Sequence, residues 1–444
     1  MTYIRTDCEH PHMPFRRPRA RVLVAAAAVL AVSTTAACTS SQAGAVKNTT
    51  LTVAAFNPFT GPDGSFGPEM MAGCLAAAAA VNAAGGVLSN KVACESVDTR
   101  GDPADAVTGA AKMLATTSHL FGVLGPSSDE ADATAPLINA AKIPMFADTG
   151  EASFDQTKLK YFWRMTPADD VQGYAMALYA KQKGLLRGAA VFGNDISSQG
   201  SVPTLLKAYK ALGGNMAVDE KITLGQSSYQ PEVEQLIAQK PQVIFTEASP
   251  QADATFLAEL QQLGHMIPVI GSDATEEPQW LTAVSGAIGK PALGKYYAGA
   301  EPYAPAAGPG WAAYNKAVLA SPGVTKPASQ WSDDPYSMVD YDGLVVMALA
   351  ATKANSTSPA VWNADIPAVT TDSPGSMQVH SYAEGVAALR AGKTIDYVGA
   401  TGLIAFDQYH NSTGGFEIAD YQPSNGSLNL VDQISASTIA ALAK

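Results

Sequence analysis

The stretch FGVLGPSSDEADATAP, Phe121 to Pro136, ends a short apolar run at Gly125-Pro126, sets two serines side by side, and then opens on acids what reads as a helix. Hydroxyls beside the free N–H groups of a helix start are a chemistry for anions. The unpaired donors and the positive end of the helix dipole suit a carboxylate. Two uses of these residues compete. Ser127 and Ser128 can hold a ligand, or Ser128 can cap the helix, with Asp129 and Glu130 well placed in its first turn. Other chemistries find less to work with. There is no GxGxxG, Walker loop, CxxC or HExxH, and His119, His265, His380 and His410 stand far from one another in the sequence. Metal hydrolysis and triad catalysis therefore lack their constellations, and we expect no catalytic residue, metal or cofactor.

The elements that must position the serine loop form a repeating series. LTVAAF (51–56), KVACESV (91–97), FGVL (121–124) and IPMFA (143–147) read as strands. Between them lie helical stretches, one through Met70 to Val81 closed by Gly85-Gly86, another opened by Asp102-Pro103. After YFWRMTPADD (161–170) the alternation resumes. GAAVFG (188–193), MAVDEKITL (216–224), QVIFTEA (242–248) and IPVIGSD (267–273) read as strands. Helices are expected over Val171–Lys183, Val202–Leu212, Pro231–Gln239 and Ala252–Leu263. Two runs of this kind predict an α/β protein with two doubly wound, mostly parallel lobes, in which ligands sit beyond the carboxyl ends of the strands.

The size agrees. A chain of 444 residues, 47% hydrophobic and with a formal charge of −12, is too long for one core and too acidic for nucleic acid. Its first 37 residues read as a signal peptide, with Arg16, Arg17, Arg19 and Arg21 ahead of an apolar run from Val22 to Val32 that is too short to stay in a bilayer. Arg16-Arg17 hints at twin-arginine export. TTAAC (34–38) resembles a bacterial lipobox, so Cys38 is the expected acylated N-terminus, although Thr35 stands where leucine is usual. Cleavage at a general small-residue site is the alternative. Removing residues 1–37, with their five arginines and two acids, leaves 23 basic residues against 38 acidic ones, a charge of −15. Residues 38–49 read as a flexible tether. Cys74 and Cys94 remain as an even pair in an oxidising compartment, which favours a disulfide over two buried thiols.

The order of TGPDGSFG (60–67), AAVNAAGGVLSNKVACESVDTRGDP (79–103), GVLGPSSD (122–129), RMTPADDVQG (164–173), YDGLVVMALAA (341–351) and GATGLIAFD (399–407) resembles the substrate-binding lipoproteins of bacterial ABC importers of the leucine/isoleucine/valine-binding type. The resemblance runs from about Leu51 to about Tyr421. It implies the type I periplasmic-binding fold: residues 50–167 and 304–396 in the first lobe, 168–303 and 402–444 in the second. Three crossings would fall near Thr166–Asp170, Glu301–Tyr303 and Val398–Thr401, with ligand trapped by hinge closure. It further implies that Ser127 and Ser128 hold a ligand carboxylate, that Asp273 or Asp169 meets an ammonium, and that Phe66 covers the ligand. Three places depart from the pattern: Gly150 and Glu151 replace a hydroxyl residue, Gln199 a tyrosine, and Glu247 and Ser249 fall where an aromatic is frequent. If those acids face the cleft, the pocket is more acidic than an aliphatic side chain wants.

These observations imply a monomeric, lipid-anchored receptor on the extracytoplasmic face of the membrane that passes a small polar ligand, amino acid or amide-like, to ABC permease subunits and does no chemistry. A ligand sensor on the same fold is the alternative. An exported hydrolase is more remote, since it needs a nucleophile beside a base.

Overall fold

In the computed structural model residues 48–61, 63–303, 306–412 and 415–443 are described. The expected signal peptide, Cys38 and all but the end of the tether lie outside them. Among the described residues fifteen strands follow in chain order. The first five are β1 (Thr50–Asn57), β2 (Lys91–Asp98), β3 (Leu120–Ser127), β4 (Met145–Asp148) and β5 (Phe162–Arg164). Next come β6 (Arg187–Gly193), β7 (Asn215–Ile222), β8 (Val243–Glu247), β9 (Val269–Gly271) and β10 (Tyr297–Pro302). The last are β11 (Met377–Val379), β12 (Ile395–Gly399), β13 (Gly402–Leu403), β14 (Phe416–Tyr421) and β15 (Leu428–Ile434).

The first sheet has the order β2-β1-β3-β4-β5 and is parallel throughout. β1 is buried from Leu51 to Asn57, as a central strand covered on both faces must be. On one face pack α1 (Phe66–Ala83) and the helix Pro335–Ala354, sharing a core that includes Val53, Ala77, Leu124 and Leu344. On the other lie α2 (Pro103–Thr116) and α3 (Ser128–Ala140), which close over Phe56, Ala110, Val123 and Ile138. The second sheet runs β15-β14-β10-β9-β8-β6-β7, with β10-β9-β8-β6-β7 parallel and β14 and β15 antiparallel at its edge. α4 (Asp169–Gln182) covers one face. A small third sheet, β11-β12-β13, flanks the first lobe.

The helix Pro335–Ala354 is buried at every residue from Tyr336 to Ala351, so it is a spine and not a surface helix. Among the described residues no helix is long and apolar enough to cross a membrane. Cys74 in α1 and Cys94 in β2 lie in disulfide geometry with Cα atoms 6.2 Å apart, inside the range a bridge requires.

The crossings differ from expectation at one point. The first runs from Arg164 into α4, and the second leaves β10 at Pro302. The third does not fall at Val398–Thr401. Residues 404–412 stay beside β5: Arg164 N donates to the His410 carbonyl at 2.9 Å, Ser412 N to the Arg164 carbonyl at 3.0 Å, and the His410 ring stacks on Trp163 at 3.8 Å. The chain passes to the second sheet only after Ser412, where Tyr303 N donates to the Gly415 carbonyl. A two-stranded turn through β12 and β13 had looked like a crossing because it breaks the pattern in the same way.

Candidate functional site

Local folding brings the loops together. Asp98, at the end of β2, accepts Phe59 N at 2.9 Å, Thr60 N at 3.2 Å and Thr60 Oγ1 at 2.6 Å, which ties down the loop leading to α1. α1 therefore starts at Phe66, four residues before the sequence pattern suggested. Gly125 has φ +99°, and a Cβ there would lie 2.2 Å from the Phe56 carbonyl oxygen, so only glycine allows β3 to pass β1 before the serines.

A cleft of about 670 Å3, its open mouth included, lies beyond the carboxyl ends of β3 and β4 on one wall and of β8 and β9 on the other. Of the residues singled out from sequence, Phe66, Ser127, Ser128, Gly150, Asp169, Glu247 and Asp273 line it. Ser249 lies in an adjoining recess that shares Phe66 and Glu247 with the cleft. Gln199 and Glu151 are not in the cleft lining. Gln199 Nε2 donates to the Gly193 carbonyl at 2.6 Å, because the short helix Ile196–Gln199 folds back on the end of β6. Glu151 sits behind the cleft near Arg164, whose guanidinium holds the Gly150 and Glu151 carbonyls and Asp155. Burial pushes its carboxyl up to about 7.

The serine loop resolves differently from both readings. Ser127, not Ser128, is the N-cap, and its Oγ donates to Glu130 Oε1 at 2.9 Å and not to the helix backbone. Burial drives Glu130 up to about 7, against the pull of that hydroxyl. Asp129 accepts Ser197 N from the facing lobe at 2.9 Å, and Asp63 lies against it. Burial, then the charges of Asp129 and Asp195, raise Asp63 to about 8. The mouth of α3 is thus already crowded with acids.

Asp273 is also occupied. Its Oδ1 accepts Gln172 Nε2 at 2.8 Å and Ala274 N at 3.0 Å, and its Oδ2 accepts the Tyr336 hydroxyl from the spine helix. Tyr336 packs edge-on to Phe66 with centroids 5.5 Å apart. The role expected of Asp273, a free acid for an ammonium, does not fit a carboxylate with three donors. It ties the two walls together instead.

Sequence reasoning missed Asp63, Asp129, Asp148, Gln172, Tyr336 and Phe416, all in the cleft lining. Asp148 carried a signal, since it ends β4 as Ser127 ends β3. Tyr336 carried none, because only tertiary packing brings it to the site. Asp148 is 6% exposed, and its carboxyl shares a hydrogen bond with the buried carboxyl of Asp340. Burial raises it to about 8, with Glu130 adding to the shift. Glu247 is raised well above its ordinary range by burial and then by Asp273 and Asp169. Beside the cleft, oxygens of Glu69, Glu277 and Asp334 lie within 4.8 Å of one another, close enough to share a proton or a cation. No lysine, arginine or histidine appears in the cleft lining among the described residues.

The cleft thus lies between two doubly wound sheets, where a small solute can be held by both walls. The sequence profile of the periplasmic binding protein family matches residues 50–412. The chain belongs to that family and is a binding protein, not an enzyme. It is 26% identical over 246 residues to the Leu/Ile/Val-binding protein BraC3 of Rhizobium johnstonii, a match covering 54% of this chain and 65% of that one. The chain thus spans somewhat less than two thirds of that relative. Among solved structures it is similar to the branched-chain amino acid transporter substrate-binding protein LivJ of Streptococcus pneumoniae, solved with isoleucine, at a TM-score of 0.70 and 15% identity over 88% of this chain and 99% of that one. It is also similar to an ABC transporter solute-binding protein of R. palustris in complex with 4-hydroxybenzoate, at a TM-score of 0.68 and 18% identity over 87% and 97%. At these identities the likeness shows the fold.

Proposed function

We propose that this protein is the extracytoplasmic receptor of an ABC importer, capturing a small polar ligand between its lobes and presenting it to permease subunits. The observation that carries the reading is the cleft itself, whose walls come from the strand ends of two separate sheets. The crossings at residues 164–168 and 301–303, with the passage that follows Ser412, act as the hinge. LivJ and the 4-hydroxybenzoate-binding protein support the transport role by their own names, and BraC3 supports a binding role. Cys38 carries lipid that holds the monomer on the membrane, and Cys74–Cys94 is oxidised after export.

Mass spectrometry of small molecules released from the purified protein tests the reading, with small-angle scattering before and after adding back the molecule found. A ligand that compacts the protein is expected. A protein that carries nothing, and compacts with no solute, refutes the receptor role. Cys38→Ser should move the protein from membrane to medium, and unchanged retention refutes the anchor. Thiol labelling of the unfolded, unreduced protein should find neither Cys74 nor Cys94.

A further inference from the structure

The formal charge of the chain, −12, conceals a segregation within the first lobe. All five strands of its sheet run parallel, so their carboxyl ends share the cleft edge and their amino ends the opposite edge. α1, α2 and α3 start at the cleft edge and finish at the other, as crossover helices must. At the cleft edge, segments 97–105, 127–132 and 148–151 hold eight acids and one base, Arg100. At the opposite edge the signs reverse. Segments 84–92, 112–120, 139–145 and 157–162 hold Lys91, Lys112, Lys142, Lys158 and Lys160, all exposed, and no acid.

Two further elements end at this edge. The spine helix starts at the cleft with Tyr336 and finishes at Ala354. Near its end Thr352 Oγ1 lies 3.2 Å from the Tyr382 hydroxyl, which donates to the Gly86 carbonyl behind α1. There a recess of about 860 Å3, its mouth included, is lined by apolar Leu88, Val386 and Leu389 and by exposed Lys353, Arg390 and Lys393. Among the described residues no acid lines it, and none of these eight cations makes an ion pair. Lys353 and Arg390 stand in last helical turns and answer the helix dipole. Lys91, Lys158, Lys160 and Lys393 lie outside the helices and have no such duty. The chain itself enters at this edge, where Thr49 N donates to Asn90 Oδ1 at 3.1 Å and Lys91 N to the Thr49 carbonyl at 3.1 Å. Extended chain from Cys38 to Asn48 spans at most about 35 Å. The cleft edge is a further ~30 Å away, the length of the spine helix.

From the polarity of this lobe and the point where its tether enters, we propose that the amino edge of the first lobe docks on the phosphate headgroups of an anionic membrane. Eight cations spread along one edge suit a plane of many phosphates, not a single anion. An acyl chain alone holds a protein only marginally, and the basic face is the second signal. It turns the cleft edge away from the bilayer, and the acids of that edge oppose the inverted posture. The inference rests on the reading of Cys38 as the lipid-bearing residue.

The test holds the face at a membrane without relying on acylation. The exported Cys38→Ser chain, with a histidine tag behind residue 38, is attached to vesicles through a nickel-chelating lipid. Vesicles of phosphatidylcholine are compared with vesicles containing about one third phosphatidylglycerol. Lysine acetylation, read by mass spectrometry, reports which face is covered. Lys91, Lys142, Lys353 and Lys393 should react at least about threefold more slowly on the anionic vesicles, with Lys181 and Lys240 of the second lobe unchanged. Sodium chloride at about 0.5 M should abolish the difference. Lys91→Gln, Lys353→Gln, Arg390→Gln and Lys393→Gln combined, all at exposed positions, should remove the protection at Lys142 too. Equal reactivity on both vesicles, or protection spread evenly over the two lobes, overturns the proposal. Protection that needs added permease subunits and not anionic lipid assigns the face to an acidic protein and overturns it as well. A wild-type chain found by mass spectrometry to carry no lipid on Cys38 refutes the anchor alone and leaves this comparison standing.

Discussion

Asp340 and Asp342 lie two residues apart on the spine helix, equally buried, and meet opposite fates. Asp342 receives four hydrogen bonds, from Tyr397 Oη at 2.8 Å, Ala400 N and Thr401 N at 2.9 Å, and Thr401 Oγ1 at 2.8 Å. It fastens the loop between β12 and β13 to the first lobe. Asp340 meets only another acid, Asp148 at the cleft, and the two carboxyls are held by a shared proton. The helix therefore has a structural side, where buried charge is fully satisfied, and a cleft side, where it is not. Burying an ionised group without donors costs stability.

The largest test of that contrast is a pair of substitutions. Asp342→Ala strands a tyrosine hydroxyl and two backbone N–H groups and should cost about 3–5 kcal/mol of unfolding free energy. Asp340→Asn should cost nothing, or add about 1 kcal/mol, because its amide can donate to Asp148. Denaturant titration of both reads the difference. Equal losses would erase the distinction between the two sides.

The unsatisfied side should also appear in the pH dependence. Burial raises Asp63 and Asp148 to about 8 and Glu130 to about 7, while in the unfolded chain such groups titrate near 4. Between those limits the folded protein holds protons that the unfolded chain has lost, so stability falls as pH rises. The ligand-free protein should lose about 1.4 kcal/mol per pH unit for each such group that keeps its proton, and level off above about pH 9. Melting curves across that range check the sign. A protein that is steadier at pH 8 than at pH 5 would show that these acids are ionised and stabilised by something else.

How far the sequence told this difference depends on which interactions are local. Eight of the strands, β1 to β4 and β6 to β9, follow from short apolar runs and were legible, while β5, β10, the antiparallel edge β14-β15 and the small third sheet were not. Ser127 was legible as a cleft position from the strand end and helix start it joins, and Phe66 and Asp273 through the family resemblance. Their partners were not. Glu130 takes the Ser127 hydroxyl because folding buries it, and Tyr336 reaches Asp273 from 63 residues away. Composition counts acids but does not say which will find donors. The third crossing was misplaced for the same reason, since the pairing of Arg164 with residues 410–412 spans nearly 250 positions.

Tyr336 offers an intermediate effect. Its hydroxyl is one of the ties between the spine helix and Asp273 of the facing wall. Tyr336→Phe keeps the ring against Phe66 and removes the donor. Global stability should drop by about 1 kcal/mol, and closure should weaken by a similar amount, seen as roughly tenfold lower affinity for the bound solute. Lost stability with unchanged affinity would place Tyr336 on the structural side, with Asp342.

The smallest effect is expected where the sequence pointed first. Ser127→Ala removes the hydroxyl bonded to Glu130 Oε1 and leaves the Thr99 hydroxyl as the remaining side-chain donor to that carboxyl. The loss should be about 1 kcal/mol or less, because the buried Glu130 can remain protonated. Its stability deficit should widen as pH rises through about 7, where the ionised carboxylate needs that donor most. Affinity for the solute should stay within about twofold, since the hydroxyl serves the protein and not the ligand. Calorimetry and melting curves at pH 6 and pH 8 separate the two roles. A tenfold loss of affinity at both pH values, with unaltered stability, would show that Ser127 holds a ligand anion after all. It would then move this residue to the cleft side of the comparison.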